Sequence, residues 1–115
     1  MPDDTLPMPP AAELRLAELM RALSDQNRVR IVVALADGEF HSITDDFFGL
    51  DLHKSTVSHH LKTLREAGFT ETLYAGRSCQ VRLRVPELNA RFPGLVAALT
   101  SPSAIADVTG NVPAR

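Results

Sequence analysis

From Ala11 to Leu23, apolar residues fall at Leu16, Leu19, Met20 and Leu23, the i, i+3, i+4, i+7 spacing of an amphipathic helix that needs a partner surface. Gln26 to Ala36 predicts a second helix, with Asp25 as N-cap and Gly38 closing it. Val29, Ile31, Val32, Val33 and Leu35 make it apolar nearly all round, which places it at the buried centre. Ile43 to Leu50 carries Ile43, Phe47, Phe48 and Leu50 and predicts a short helix closed by a turn through Gly49, Leu50 and Asp51. Lys54 to Gly68, KSTVSHHLKTLREAG, predicts a longer helix with divided faces. Val57, Leu61, Leu64 and Gly68 form one stripe, and Ser55, Ser58, His59 and Lys62 lie opposite. The period then drops to two. Thr70 to Ala75 and Ser78 to Val85 read as strands, the second alternating Cys79, Val81, Leu83 and Val85 against Gln80, Arg82 and Arg84. Gly76-Arg77 between them is a tight hairpin turn. Pro86 and Glu87 suit another helix start, and Leu88, Phe92, Leu95, Val96 and Leu99 continue an apolar pattern that Pro93-Gly94 kinks or splits. The arm 1–10 and the tail 101–115 are rich in Pro, Ser and Gly without sustained periodicity, so both are expected to be flexible around a single domain over 11–100.

The divided helix carries the chemistry. Short hydroxyls, an imidazole and an ammonium crowd its first two turns, with no carboxylate before Glu66. Those groups suit base edges and phosphates in a major groove. A short helix, a tight turn and a polar-faced helix make a helix-turn-helix, and a hairpin directly behind makes a wing. The predicted fold class is therefore mainly α with a small β-hairpin, a winged helix-turn-helix.

Ala22-Leu23-Ser24-Asp25, Arg28-Val29-Arg30-Ile31, Ser55-Thr56-Val57-Ser58-His59-His60-Leu61, Leu64-Arg65-Glu66-Ala67-Gly68 and Gly76-Arg77 resemble the successive signatures of the ArsR (arsenical-resistance repressor) family of bacterial regulators. The likeness runs from Leu14 to Leu99 and is most specific in STVSHHLKTLREAG. It implies a homodimer that binds an inverted-repeat operator in double-stranded DNA and represses until an inducer, often a metal ion, releases it. Under that resemblance Lys54, Ser55, Thr56, Ser58, His59, Lys62 and Arg77 are the DNA-binding residues. Leu16, Leu19 and Met20 of the first helix, with Leu95, Val96 and Leu99 of the last, form the dimer interface. The apolar surface of those two helices also exceeds what so small a core absorbs, an independent argument for a dimer.

Composition narrows the class. A chain of 115 residues with 44% hydrophobic content suffices for one core. The net charge of −2 divides unevenly: residues 1–52 hold four Arg against ten Asp or Glu, whereas 53–91 hold seven Lys or Arg against three Glu. Positive charge is thus concentrated on the reading head, with Lys62, Arg77, Arg82 and Arg84 read as phosphate contacts. No apolar run has the length of a membrane helix and the acidic N-terminus does not resemble a signal peptide, so a cytoplasmic protein is expected. The single Cys79 excludes an internal disulfide framework and thiolate-rich clusters, and reads as a small strand residue.

An effector is harder to read. The cysteine pair of the family's best-known metal site is missing from Glu39 to Asp46, and the last helix has no histidine for the family's second site. His41 with Asp45 one helical turn on, and His53 near the turn, remain as nitrogen and oxygen donors for nickel, cobalt or zinc. The competing reading is that His41 and Asp45 cap and solvate a helix start. His59 and His60 point about 100° apart on a helix and do not chelate one ion. His59 belongs to the DNA side and His60 to the edge of the core. Catalysis is excluded, since no Gly-rich phosphate loop, nucleophile elbow or HExxH spacing occurs. The rival to a DNA-binding regulator is a winged helix used as a protein-interaction module, acting on DNA only with a partner regulatory protein that carries the sensing function.

Overall fold

The structure is a computed structural model describing residues 4–44 and 47–110. Its elements in chain order are β1 (Asp4–Thr5), a 3-10 turn (Ala11–Glu13), α1 (Leu16–Ala22), α2 (Gln26–Ala34), β2 (His41–Ser42), α3 (Lys54–Ala67), β3 (Thr70–Ala75), β4 (Ser78–Leu83), α4 (Val85–Arg91), α5 (Leu95–Leu99) and α6 (Pro102–Thr109). This is the winged helix-turn-helix architecture, with antiparallel strands in the order β1-β3-β4-β2.

Local chemistry sets most boundaries. The Asp25 carboxylate accepts the Asn27 N–H at 2.8 Å and starts α2. Gly68, at φ 107°, stops α3, and the Gly68 and Phe69 N–H groups both return to the Leu64 carbonyl. β3 and β4 then pair from Thr70↔Leu83 to Ala75↔Ser78, leaving Gly76-Arg77 as a two-residue loop with Gly76 at φ 63°. One face of this hairpin, Thr70, Thr72, Val81 and Leu83, is buried. The core joins it to Leu61 and Leu64 of α3, Leu19 of α1, Ile31 and Val32 of α2, and Leu14, Leu35, Phe69 and Leu88.

Five expectations are corrected. The arm expected to be flexible is fastened to the sheet in its described part, Asp4 and Thr5 pairing with Tyr74 and Leu73 and the Leu6 N–H donating to the Thr72 carbonyl. The first helix is split: Leu14 and Arg15 are extended between the 3-10 turn and α1, because Leu14 turns inward to complete burial against Gly68. Ile43 to Leu50 contains no helix among its described residues. His41 and Ser42 instead pair with Val81 and Gln80, Ile43 N–H continues the ladder to the Cys79 carbonyl, and Phe47 N–H closes a turn on Thr44. The tail is not flexible throughout. Ser101 caps α6 by accepting the Ala104 N–H, Pro102 opens it and Gly110 closes it at φ 73°. Val108 is buried, and its carbonyl accepts Arg30 Nε at 2.8 Å, fastening α6 to α2. Finally, Leu19 and Val96, assigned to a dimer interface, are 0% and 7% exposed and fill the protomer's own core. The predicted break at Pro93-Gly94 is present, separating α4 from α5 with Gly94 at φ 91°.

Candidate nucleic-acid interface

The two faces of α3 are partitioned as its spacing predicts. Leu64 is fully buried, Leu61 and His60 are 9% and 6% exposed, and Val57 is half-buried, all turned to the core. Lys54, Ser55, Thr56, Ser58, His59 and Lys62 are exposed, as is Arg77 at the tip of the wing. All seven residues assigned to DNA thus lie on the surface, six on one helix and one at the hairpin turn. No apolar residue of α3 is exposed. Hydroxyls, an imidazole and ammonium groups on a rigid helix can donate to base-edge acceptors and to phosphate oxygens.

The start of α3 has a histidine cap. His53 Nδ1 accepts the Ser55 backbone N–H at 3.2 Å and stands 2.9 Å from the Ser55 hydroxyl. His53 therefore serves the helix terminus.

His60 locks α3 to α2. Arg28 Nη1 donates to His60 Nδ1 at 3.2 Å, while Arg28 Nε donates to the Ala22 carbonyl at 2.6 Å, so one guanidinium ties the end of α1 to α3. Burial pulls the His60 pKa below 6.5; Asp25 opposes this, and Arg28 and His59 add to it. The neutral ring that results is the form able to accept from Arg28. The rings of His59 and His60 are 6.2 Å apart, one exposed and one buried, in keeping with their assignment to opposite roles.

The basic strand residues are a correction. Arg82 pairs with Glu71 at 2.6 Å and Glu87 at 2.7 Å and stacks over Phe40. Arg84 is 3% exposed, donates to the Pro9 and Gly68 carbonyls and meets Glu87 at 3.3 Å. Burial raises the Glu87 pKa, but hydrogen bonds from Arg82, its own backbone N–H and Arg84 outweigh it and hold the carboxyl below its ordinary value. Neither arginine is available to phosphate. Alternation alone made them look like the wing's cations; the clue to their real role was Glu71 and Glu87 flanking them in sequence.

The proposed metal donors His41 and His53 each have another partner. His41 lies on a strand rather than at a helix start, and Asp45 lies outside the described residues. The His41 imidazole sits 2.9 Å from both Asp37 carboxylate oxygens and against Phe47. The Asp37 carboxyl is lowered by the Glu39 backbone N–H first and by His41 second. Among the described residues no group of three His, Cys, Asp or Glu side chains could hold an ion. No helix among them is long and apolar enough to cross a membrane.

Comparison with known proteins agrees with this geometry. The model for bacterial regulatory proteins of the arsR family matches residues 25–72, from the α2 cap into β3. The chain is 36% identical over 84 residues to the uncharacterized HTH-type transcriptional regulator YceK of Bacillus subtilis, covering 72% of this chain and 84% of that one. It is 42% identical over 71 residues to the HTH-type transcriptional regulator CmtR of Mycobacterium tuberculosis, covering 62% and 59% respectively. It is 31% identical over 96 residues to the biofilm growth-associated repressor of Agrobacterium fabrum, covering 81% of each.

Proposed function

Because this chain belongs to the arsR family of bacterial regulatory proteins, DNA-binding transcriptional regulators and not enzymes, we propose that it is a homodimeric repressor that grips an inverted-repeat operator in the cytoplasm. The observation that carries this reading is the sorted surface of α3, whose exposed side chains are all polar while its apolar stripe is consumed by the core. A winged helix that acts only through a partner protein would present apolar side chains there. Ser55, Ser58 and His59 contact base edges, while Lys62 and Arg77 contact phosphate. Lys54 and Thr56, at the same end of the helix, adjoin the backbone.

The dimer is supported by what the protomer leaves uncovered. Leu16 and Met20 on α1 are 47% and 41% exposed. Leu95 and Leu99 on α5 are only partly covered by their own core. Two copies joining these faces bury that surface at roughly 25 cal/mol per Å² and set two α3 helices about one DNA turn apart. Repression accords with the naming of the Agrobacterium relative as a repressor. This reading does not rest on nickel, cobalt or zinc: His41 is paired with Asp37, and His53 caps α3 at Ser55.

The test is selection of an operator from random duplexes followed by footprinting and a stoichiometric titration. Two protomers per site and a footprint with two-fold symmetry, half-sites about 10 bp apart, are expected. A one-protomer complex with an asymmetric footprint would contradict the dimer.

A further inference from the structure

Between the N-terminal half of α3 and the wing strands lies a cavity of about 190 Å³. Val57 and Leu61 of α3, Ile43 and the cross-strand neighbours Tyr74 and Cys79 line it, and Lys54 and Ser58 of α3 add an ammonium and a hydroxyl to the same lining. We propose that this cavity binds a small, mainly apolar molecule carrying one hydroxyl, of the phenol class, and that its occupancy loosens the grip on DNA. The second half rests on the DNA-binding function given above.

Size and chemistry select the ligand class. A cavity of about 150 Å³ admits a benzene ring, so this one, at about 190 Å³, has room for a single ring. The mainly apolar lining disfavours a multiply charged ligand, and the Lys54 ammonium within it suits a weakly acidic hydroxyl such as that of a phenol. The Ser58 and Tyr74 hydroxyls, both able to donate and accept, suit one polar group at the rim. Cys79 is half-buried and lines the cavity, which makes its thiol a built-in reporter of occupancy.

Geometry supplies the coupling. Ser58 belongs both to the cavity edge and to the reading face. The C-terminal half of α3 is anchored by fully buried Leu64, whereas its N-terminal half rests on half-buried Val57 and on the His53 cap. A ring wedged beneath Val57 displaces that looser half, and with it Ser55 and Ser58, relative to Arg77.

Phenol itself is the probe. Calorimetry on the full chain without DNA should show saturable binding, and phenol should slow alkylation of Cys79 by iodoacetamide. Val57→Phe and Cys79→Met fill the cavity from opposite walls, and either should weaken phenol at least tenfold while far-UV circular dichroism stays native. Having two variants keeps the result readable if one misfolds. Absence of saturable binding to the native chain, or undiminished binding by the folded filled variants, overturns the site. Phenol should also weaken binding of the native chain to its selected operator about fivefold or more, within the usual range of allosteric coupling, and leave Cys79→Met unaffected. Phenol binding without any effect on DNA overturns the coupling. A chain that binds no DNA even without phenol overturns the regulator reading while the cavity result stands by itself.

Discussion

Arg77 and Arg84 look alike in sequence, two cations of one basic hairpin, yet the structure gives them opposite work, and alanine at each should separate stability from DNA binding. Arg84 is 3% exposed and donates to the Pro9 carbonyl at 2.8 Å and the Gly68 carbonyl at 3.3 Å. Truncation leaves those acceptors without their donor, and a buried group so orphaned costs about 1–3 kcal/mol. The Pro9 bond dominates because it is short, and loss of the packed stem adds to it. Glu87 keeps Arg82 at 2.7 Å, so no carboxylate is stranded. The sum for Arg84→Ala is about 2–4 kcal/mol, a large share of the roughly 5–15 kcal/mol that holds such a domain together. At about 4 °C per kcal/mol for a domain of this size, Tm falls by about 8–16 °C. Arg77 is exposed at a turn, so Arg77→Ala should change stability by no more than about 0.5 kcal/mol while lowering the slope of log K against log salt by about one. Urea titrations and operator binding across a salt series measure both. If Arg84→Ala kept the native midpoint and lost a unit of salt slope, the arginine would be a phosphate contact and its assignment to the fold would be wrong.

Other consequences are as concrete. Gly68→Ala combines a left-handed φ of 107° with a Cβ driven into Leu14, so it should cost about 2–4 kcal/mol by urea denaturation; Gly94→Ala, at φ 91° with open space around it, should cost only about 1–2 kcal/mol. His60 has a folded pKa below its unfolded 6.5; the unfolded chain therefore binds the proton first, and stability, full above about pH 7, falls as the pH drops through 6.5 toward the folded pKa. His60→Gln, which can still accept from Arg28, should flatten that fall, and an unchanged profile would refute the assignment. Leu16→Glu with Met20→Glu should yield a folded monomer by sedimentation; a persisting dimer would place the interface elsewhere.

What the sequence made legible was whatever a short-range pattern decides. The two faces of α3, the Asp25 cap, the Gly68 stop and the two-residue hairpin were all written in local spacing and single turn residues. What it concealed depended on long-range partners. Arg84 cannot be told from a phosphate contact until the Pro9 carbonyl, 75 residues away, is folded beside it. Leu19 reads like Met20 on a helical wheel, but only the closed core shows the first as filler and the second as surface. His41 seemed to begin a helix because the segment is apolar at irregular spacing, whereas pairing with Val81 draws it into the sheet. In α6 the Ser101 cap, Pro102 and Gly110 were all present, and the tail's composition masked them.

The central claim is that the exposed face of α3 reads DNA sequence, and His59 is its sharpest test. Affinity of the native chain and of His59→Ala should be measured against the selected operator, against the operator substituted at one base pair per half-site, and against random duplex, at fixed salt. Native protein should discriminate at every position in the half-site. His59→Ala should lose about 1–3 kcal/mol of discrimination at one position and keep its affinity for random duplex. Equal losses on operator and random DNA, or none on either, would contradict the account.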